Sequence, residues 1–392
     1  MKDGERRMIV IADDITGAAE IAGIAHRFGL ATRMVVASGD TWQLADDNAA
    51  DIVVIATDTR SMTKSEAVAE TVAVARQIRM ADDQPVVFKK TDSALRGHVA
   101  AELYALMDEL HLTQALYMPA NPSKGRIIKD GIYYIDGVEI AHTDFSFDPE
   151  FPARSSVVEE VITGLGTSKE KKDHRILFAD AASADDIRQL VADADNNTIL
   201  AGAADLFTTM LEQHATTLKQ HTTCVPLPLK EGRGGSSSGS SLILCGSTQS
   251  KPLDIGIAVY DMPTALYDSR ADSDDYHTLV ENWTRTISEG YTANGSAILT
   301  FGSNTHRTGK ASAVYLRNTM AAVAESLIAT RRPDKLIIEG GATAFCLLRR
   351  LGWTDFQVTG ELAPGVVAMR AANGTAVVMK PGSYSWGKKL FC

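Results

Sequence analysis

Two segments of the N-terminal half place acidic and basic side chains side by side, each directly after an apolar run. Asp13 and Asp14 follow the first run, and residues 89–97 (KKTDSALRG) follow another. An arginine such as Arg96 can bind a carboxylate through two parallel hydrogen bonds, whereas Asp92 and Ser93 can meet hydroxyl groups. This combination predicts a binding site for a small acid that carries several hydroxyls.

Simpler explanations for these residues stay open on the sequence alone. Asp14 or Thr16 can serve only as the cap of a helix, and Asp92 can cap the helix after residue 97. Two further post-strand loops carry Arg60 and Arg126. Exposed loops often carry such cations without binding a ligand.

Glycine-containing turns follow three apolar runs of the C-terminal half. Gly340 and Gly341 lie between a predicted strand and a predicted helix, where backbone N–H groups can face a phosphate. Three ordinary tight turns of an α/β fold are the alternative. The three turns are Gly246-Ser247, residues 339–343 (EGGAT) and residues 380–382 (KPG).

The elements that must position these residues are strands and helices in alternation. The predicted N-terminal strands are Met8–Ala12, 33–37, Ile52–Ala56, 86–88 and 115–118, and the predicted helices are 16–28, 65–79 and Val99–Leu110. Continuous apolar strands separated by helices predict a parallel sheet covered on both faces. Ligands of such sheets lie beyond the carboxyl ends of the strands, so we expect the charged loops to meet there.

The C-terminal half repeats this alternation. Its predicted strands are 242–245, 296–301, 336–338 and 377–379, and the turn at Gly340 leads into a helix that runs through Leu351. The predicted fold class is therefore α/β in two domains, each with a largely parallel sheet flanked by helices.

Length and composition agree with two domains. The chain has 392 residues, of which 45% are hydrophobic and 22% charged, as in ordinary globular proteins. Residues 231–241 are mostly glycine and serine, which predicts a flexible linker between domains 1–230 and 242–392. The formal net charge of -10 argues against a broad surface for nucleic acid or an anionic membrane. The first apolar run is too short for a signal peptide or a membrane span, so we expect a cytoplasmic protein.

Taken in chain order, the motifs resemble the four-carbon acid sugar kinase family. The series comprises residues 12–18 (ADDITGA), 89–97 (KKTDSALRG), 119–126 (PANPSKGR) with Asp130-Gly131, 143–145 (TDF) with Asp148-Pro149, Gly246-Ser247, 340–343 (GGAT) and 380–382 (KPG). Each motif is short, but the ordered series covers nearly the whole chain.

This resemblance implies that the N-terminal domain binds a tetronate or 3-oxo-tetronate and that the C-terminal domain binds ATP. The nucleotide-binding positions that it implies are Ser247, Gly340, Gly341, Ala342, Thr343 and Gly382. From the chemistry of phosphoryl transfer we also expect Mg²⁺ to bridge the ATP phosphates. The 4-hydroxyl would be phosphorylated in a cleft between the domains. The residues implied to face the sugar acid are Asp13, Asp14, Arg60, Lys89, Asp92 and Arg96, and the charged loops add Lys90, Ser93 and Arg126. Two positions depart from the family pattern. The family often has an acidic residue where this chain has Ala342, and often has Asp where this chain has Glu20.

The expected reaction needs a proton acceptor and cations. Asp13, Asp14 or Asp92 would accept the proton of the attacking hydroxyl, while Arg96 and Lys89 hold the acid group. Two alternatives stay open: a sugar-acid-responsive nucleotide-binding protein without turnover, and a phosphatase with an aspartyl nucleophile. The partners expected are the sugar acid and ATP, and a homo-oligomer is compatible with the sequence. The sequence does not choose among the four-carbon acids.

Overall fold

The structure is a computed structural model that describes residues 7–37, 44, 50–80, 86–148, 150–164, 174–195, 197–218, 239–247, 253–268, 273–302, 310–382 and 386. The chain divides into two units, Met1–Thr222 and Thr223–Cys392. Each unit has an α/β architecture, as the alternation of elements predicted. No helix within the described ranges is both long enough and apolar enough to cross a membrane.

The first unit contains ten strands and six α-helices among its described residues. The strands are β1 (Met8–Ala12), β2 (Thr32–Val36), β3 (Ile52–Ala56), β4 (Val86–Lys90), β5 (Gln114–Met118), β6 (Arg126–Lys129), β7 (Ile132–Ile135), β8 (Val138–Glu139), β9 (Ile176–Phe178) and β10 (Thr198–Gly202). The helices are α1 (Ile15–Arg27), α2 (Lys64–Met80), α3 (Val99–Leu110), α4 (Val158–Thr163), α5 (Ala184–Asp193) and α6 (Ala204–Leu218).

Seven of these strands form a parallel sheet in the order β2-β3-β1-β4-β10-β5-β9. Every residue of β1, β2 and β3 is buried, because helices cover both faces of this sheet. The carboxyl ends of β3, β1 and β4 are therefore neighbours. The sheet brings the three loops that follow these strands to one edge.

A small antiparallel sheet, β6-β7-β8, follows β5. Its two connections contain Asp-Gly pairs at 130–131 and 136–137, all four residues of which have positive φ. The turn before β6 needs Gly125, because a Cβ there would lie 2.1 Å from Asp136 Oδ1. The sequence analysis did not predict this sheet.

The second unit contains seven strands and four α-helices within the part of the chain that the structure describes. The strands are β11 (Ser241–Cys245), β12 (Val259–Asp261), β13 (Ser296–Thr300), β14 (Lys335–Glu339), β15 (Asp355–Ala363), β16 (Val366–Ala371) and β17 (Ala376–Lys380). The helices are α7 (Thr264–Asp268), α8 (Asp274–Asn294), α9 (Lys310–Thr330) and α10 (Gly341–Arg350). The strand order is β12-β13-β11-β14-β17-β16-β15, in which β15 and β16 are antiparallel to their neighbours.

The predicted linker at 231–241 lies mostly outside the described residues. Its last residue, Ser241, instead begins β11, and Ser240 is held by Asp334 through both its backbone N–H (2.7 Å) and its hydroxyl (2.9 Å). These bonds satisfy polar groups next to the strand and order the end of the Gly/Ser segment. The boundary between the two domains stays a prediction.

Candidate active site

Three aspartates and one arginine meet at the carboxyl ends of β1, β3 and β4. Asp13 and Asp14 follow β1, Asp92 follows β4, and Arg60 lies in a 3₁₀ turn, Thr59–Ser61, after β3. Arg60 donates from Nε and Nη2 to the two carboxylate oxygens of Asp13, both at 2.9 Å. Its guanidinium also lies 3.0 Å from Asp14 Oδ1 and 3.7 Å from Asp92 Oδ1. Arg60 thus holds the aspartates together.

Asp92 organises the loop between β4 and α3. Its carboxylate accepts from Arg96 Nε at 2.7 Å and Nη2 at 3.1 Å, and from the backbone N–H of Ala94 at 3.1 Å. Gly97 closes the loop at φ +102°, where a Cβ would lie 3.4 Å from Asp13 Oδ2. The N-cap residue of α3 is His98, so Asp92 does not cap this helix.

Asp14 is both a helix cap and a member of this cluster. Its Oδ1 accepts from the backbone N–H of Gly17 at 2.9 Å, and its Oδ2 accepts from the Thr16 hydroxyl. Gly17 leaves room for the ammonium of Lys90, which would lie 3.3 Å from a Cβ at this position. Asp14 does cap α1, as the simpler explanation proposed. The same carboxylate also faces Arg60 and so belongs to the charged cluster, where a ligand could contact it.

Lys90 reaches a second carboxylate on α1. Glu20 lies 3.6 Å from Lys90 Nζ and 2.6 Å from Lys124 Nζ. Glu20 stands where the family often has Asp, so a carboxylate is present at this position in either case. Here it links Lys90 and Lys124, two cations of neighbouring loops.

Lys89 lies elsewhere than the sequence analysis expected. Consecutive side chains of a strand point to opposite faces, so Lys89 and Lys90 cannot line the same surface. Lys89 is fully buried, and its Nζ lies 2.6 Å from Glu102 Oε2 on α3. We correct the expectation that Lys89 holds the acid group, because its charge is already paired in the interior.

A second group of side chains joins the cluster from the small sheet. Arg126 donates to Ser93 Oγ at 2.5 Å, and the Tyr133 hydroxyl donates to the carbonyl oxygen of Ser93. The centroid of the Phe145 ring lies 5.6 Å from the guanidinium carbon of Arg126 and 5.8 Å from that of Arg96. Phe145 was part of a motif without an assigned role.

Asp148 is the other residue of that motif which reaches the cluster. Its Oδ2 lies 3.4 Å from Arg96 Nη1. Arg96 is therefore shared by two carboxylates, those of Asp92 and Asp148.

The three aspartates differ in their acidity. Burial raises the pKa of Asp13, although Arg60 acts against it. Burial also opposes ionisation of Asp14, but Arg60 and Lys90 outweigh it and lower the pKa of this carboxyl. The pKa of Asp92 is also lowered, since Arg60 and Arg96 together exceed the effect of its burial. Asp14 and Asp92 are thus held ionised at neutral pH.

The candidate nucleotide-binding residues also lie together, at the carboxyl edge of the second sheet. Gly340 has φ +93°, and a Cβ there would lie 3.0 Å from the carbonyl oxygen of Gly246. A Cβ on Gly382 would lie 2.4 Å from Ser247 Oγ. Thr343 donates its hydroxyl to the Gly246 carbonyl at 3.1 Å. Three loops thus approach each other closely because they carry glycine.

Helix α10 begins at this edge with Gly341, Ala342 and Thr343. The first N–H groups of a helix have no carbonyl partner within it, and they attract anions. Its first turn contains no acidic residue, and Ala342 is exposed. These residues fit the phosphates of a nucleotide through their backbone, with no side-chain contact from Ala342.

A buried ion pair supports the same edge. Lys380 Nζ lies 2.5 Å from Glu339 Oε1 and donates to the Pro381 carbonyl at 3.0 Å. Glu339 and Lys380 are the last residues of adjacent strands, directly before the turns at Gly340 and Gly382. The pair fixes where two of the three loops begin.

The described residues offer no prepared metal site. Among them, no group of three His, Cys, Asp or Glu side chains is placed to hold an ion. The clustered aspartates face Arg60, and Glu339 faces Lys380. Mg²⁺ commonly binds through substrate phosphates and one or two carboxylates, so these residues are compatible with a metal ion that arrives with a nucleotide.

Two family models match the chain in the same arrangement as these two sites. A sugar-binding N-terminal domain matches residues 8–169, and a nucleotide-binding C-terminal domain matches residues 258–384. The chain belongs to the four-carbon acid sugar kinase family. The aspartate cluster lies in the sugar-binding part of this kinase family's fold, and α10 lies in the nucleotide-binding part.

Curated members of the kinase family align with the chain at modest identity. A 3-oxo-tetronate kinase of Cupriavidus necator is 23% identical over 95% of this chain and 93% of that protein. A D-threonate kinase of Salmonella typhimurium is 31% identical over 40% of this chain, but the match spans only 36% of that protein's length. A D-erythronate kinase of Heliobacterium modesticaldum is 30% identical, over 35% of its length.

A solved structure shares the fold. A Salmonella typhimurium protein described as a tRNA synthase superposes with a TM-score of 0.75 at 18% identity, covering 98% of both chains. At this identity the likeness shows the fold alone.

Proposed function

We propose that the chain is an ATP-dependent kinase that phosphorylates the 4-hydroxyl of a tetronate or 3-oxo-tetronate. The observation that carries this proposal is the meeting of Asp13, Asp14 and Asp92 with Arg60 and Arg96 at one sheet edge. Carboxylates that can bind hydroxyls are present there, and Arg126, bonded to Ser93 of the same loop, can bind the acid group. All of these residues lie within the region that matches the sugar-binding model.

ATP is proposed to bind at the other edge, through the amides of Gly341, Ala342 and Thr343 and the turns at Ser247 and Gly382. Phosphoryl transfer requires mainly positioning of the reactants and neutralisation of charge. Backbone amides at a helix N-terminus supply part of that neutralisation. A location of the reaction between the two domains stays a prediction from the resemblance.

Asp14 is the best-placed proton acceptor of the three aspartates. Its side chain is 18% exposed, compared with 2% for Asp13 and 11% for Asp92. Both oxygens of Asp13 are bonded to Arg60, and Asp92 is bonded twice to Arg96. A substrate hydroxyl can therefore reach Asp14 most directly.

The same bonds weaken the phosphatase alternative. A carboxylate nucleophile must present a free oxygen, and Arg60 occupies both oxygens of Asp13, so only Asp14 stays open for that role. Measuring ADP release distinguishes the kinase from the alternative of a binding protein without turnover.

The decisive experiment combines binding and turnover. Thermal unfolding is measured with D-threonate, D-erythronate, L-threonate and 3-oxo-tetronate, each with and without Mg-ATP, and ADP release is then assayed for each acid that raises Tm. We expect acid-dependent ADP release with at least one of them. Binding without ADP release would support the non-catalytic alternative, and phosphate release from a phosphorylated acid without ATP would support the phosphatase.

A further inference from the structure

The basic side chains around the aspartate cluster differ in whether a carboxylate of the protein already pairs with them. Five of the six have such a partner. The pairs are Arg60 with Asp13, Asp14 and Asp92; Arg96 with Asp92 and Asp148; Lys90 and Lys124 with Glu20; and Lys89 with Glu102.

Arg126 is the exception. No carboxylate of the described residues forms an ion pair with it, and its side chain donates one hydrogen bond, to Ser93 Oγ. A guanidinium has five N–H donors, so most of those of Arg126 are available to a ligand. The side chain is only half-buried, so a ligand in solution can reach it.

The guanidinium of Arg126 is also held in place. Its central carbon lies over the Phe145 ring, 5.6 Å from the ring centroid. Its hydrogen-bond partner Ser93 is held in turn by Tyr133, whose hydroxyl donates to the Ser93 carbonyl. Gly125, immediately before it, sets the turn into β6. A fixed planar fork loses little conformational entropy when a carboxylate binds it.

We propose that Arg126 binds the carboxylate of the substrate and makes the site select sugar acids over neutral analogues. This inference rests on the proposed function and names the residue that sets its substrate class. Arg96, to which the sequence assigned this role, is already neutralised by Asp92 and Asp148 and holds the loop instead. An amide in place of the acid would leave Arg126 without a counter-charge, which is the basis of selection.

The test measures selectivity in binding, so that it does not depend on turnover. Isothermal titration calorimetry compares D-threonate, D-erythronate and L-threonate with their primary amides, for the wild-type chain and for Arg126→Gln and Arg126→Lys. We expect the wild-type chain to prefer an acid over its amide by on the order of 100-fold. Arg126→Gln should abolish this preference, and Arg126→Lys should keep part of it, since it retains the charge but not the fork.

Lys129→Gln is the matched control, because Lys129 is an exposed cation on the same strand. It should leave the preference unchanged. A circular dichroism spectrum and a Tm without ligand close to those of the wild-type chain show that each variant is folded, and Arg126→Lys decides the question if Arg126→Gln does not fold.

The outcomes separate this inference from the proposed function. If the Arg126 variants still prefer the acid as strongly as the wild-type chain, Arg126 is not the anchor, even where ADP release confirms a kinase. If the wild-type chain releases ADP with a tetronate but binds acid and amide equally, the selectivity claim alone is wrong. If it binds none of these three acids, and 3-oxo-tetronate neither raises Tm nor gives ADP release, both proposals are wrong.

Discussion

Asp14 combines two roles that a single substitution can separate. Asn is as good an N-cap as Asp, so Asp14→Asn should keep the start of α1, with a modest fall in Tm because Arg60 loses one of its carboxylate partners. The carboxylate that accepts the proton is lost, and we expect kcat to fall about 10²–10⁴-fold. Steady-state ADP release measures this, and ATP binding should persist. A kcat close to that of the wild-type chain would rule out Asp14 as the base.

The pH dependence of kcat checks the same assignment. The pKa of Asp14 is lowered by Arg60 and Lys90 against the effect of burial, so Asp14 stays ionised well below neutral pH. At saturating acid and Mg-ATP, kcat should therefore hold constant on the acidic side down to about pH 5. The pKa of Asp13 is raised by burial. A loss of activity that begins, as the pH falls, above the range in which a carboxyl group ordinarily titrates would point to Asp13 as the base.

A site residue could be identified from the sequence only where the end of the preceding strand was also predicted correctly. Asp13, Asp14 and Asp92 could be named because each follows an apolar run. Lys89 was misplaced because the strand was predicted to end at 88, whereas β4 continues to Lys90. If the predicted strand had extended to Lys90, the alternation of side chains along it would have placed Lys89 in the interior and Lys90 at the site. The partner Glu102 had no local signal, since it lies in the middle of α3.

At the scale of elements, the buried pair of Lys89 and Glu102 reaches the site through the 3₁₀ turn. Glu102 Oε2 accepts from the Thr59 hydroxyl at 2.9 Å, and Thr59 directly precedes Arg60. The turn is also tied to β1, because the Thr57 hydroxyl donates to the Ala12 carbonyl at 2.9 Å. The pair thus positions the arginine that holds the aspartates.

Two double variants distinguish the positioning of Arg60 by Glu102 from an effect of the buried pair on the stability of the fold. Lys89→Met with Glu102→Gln removes both charges but keeps an acceptor for Thr59, whereas Lys89→Met with Glu102→Leu removes the acceptor as well. A buried pair replaced by neutral residues is often tolerated, so both should fold. We expect kcat/KM to fall at least about tenfold more in the Leu variant, because small displacements of catalytic groups are costly. Equal activity in the two would mean that Glu102 does not position Arg60.

The small sheet shows what the sequence analysis overlooked at this scale. Asp130-Gly131 and Asp136-Gly137 are typical hairpin turns, and they flank β7 on both sides. The signal was therefore present, but the strands around it are only two to four residues long. Their contribution to the site, through Arg126 and Tyr133, depends on contacts with Ser93 that no local pattern reveals.

At the scale of the whole molecule, the class of fold was predictable but the order of strands was not. In the first unit, β10 lies between β4 and β5, although about eighty residues of chain separate it from β5. Local periodicity identifies strands and cannot specify which long-range pairs form. The loops of β1, β3 and β4 meet because these strands happen to be neighbours in the sheet.

The assignment of one ligand to each unit predicts that their responses can be abolished independently. Gly340→Ala forces a side chain into a backbone conformation with φ +93° and within 3.0 Å of the Gly246 carbonyl, so it should displace the start of α10. We expect this variant to lose the ATP-induced rise in Tm and to keep the rise induced by a tetronate. Arg126→Gln should show the opposite pattern. Loss of both responses in either variant, with circular dichroism unchanged, would contradict the division of the two ligands between the units.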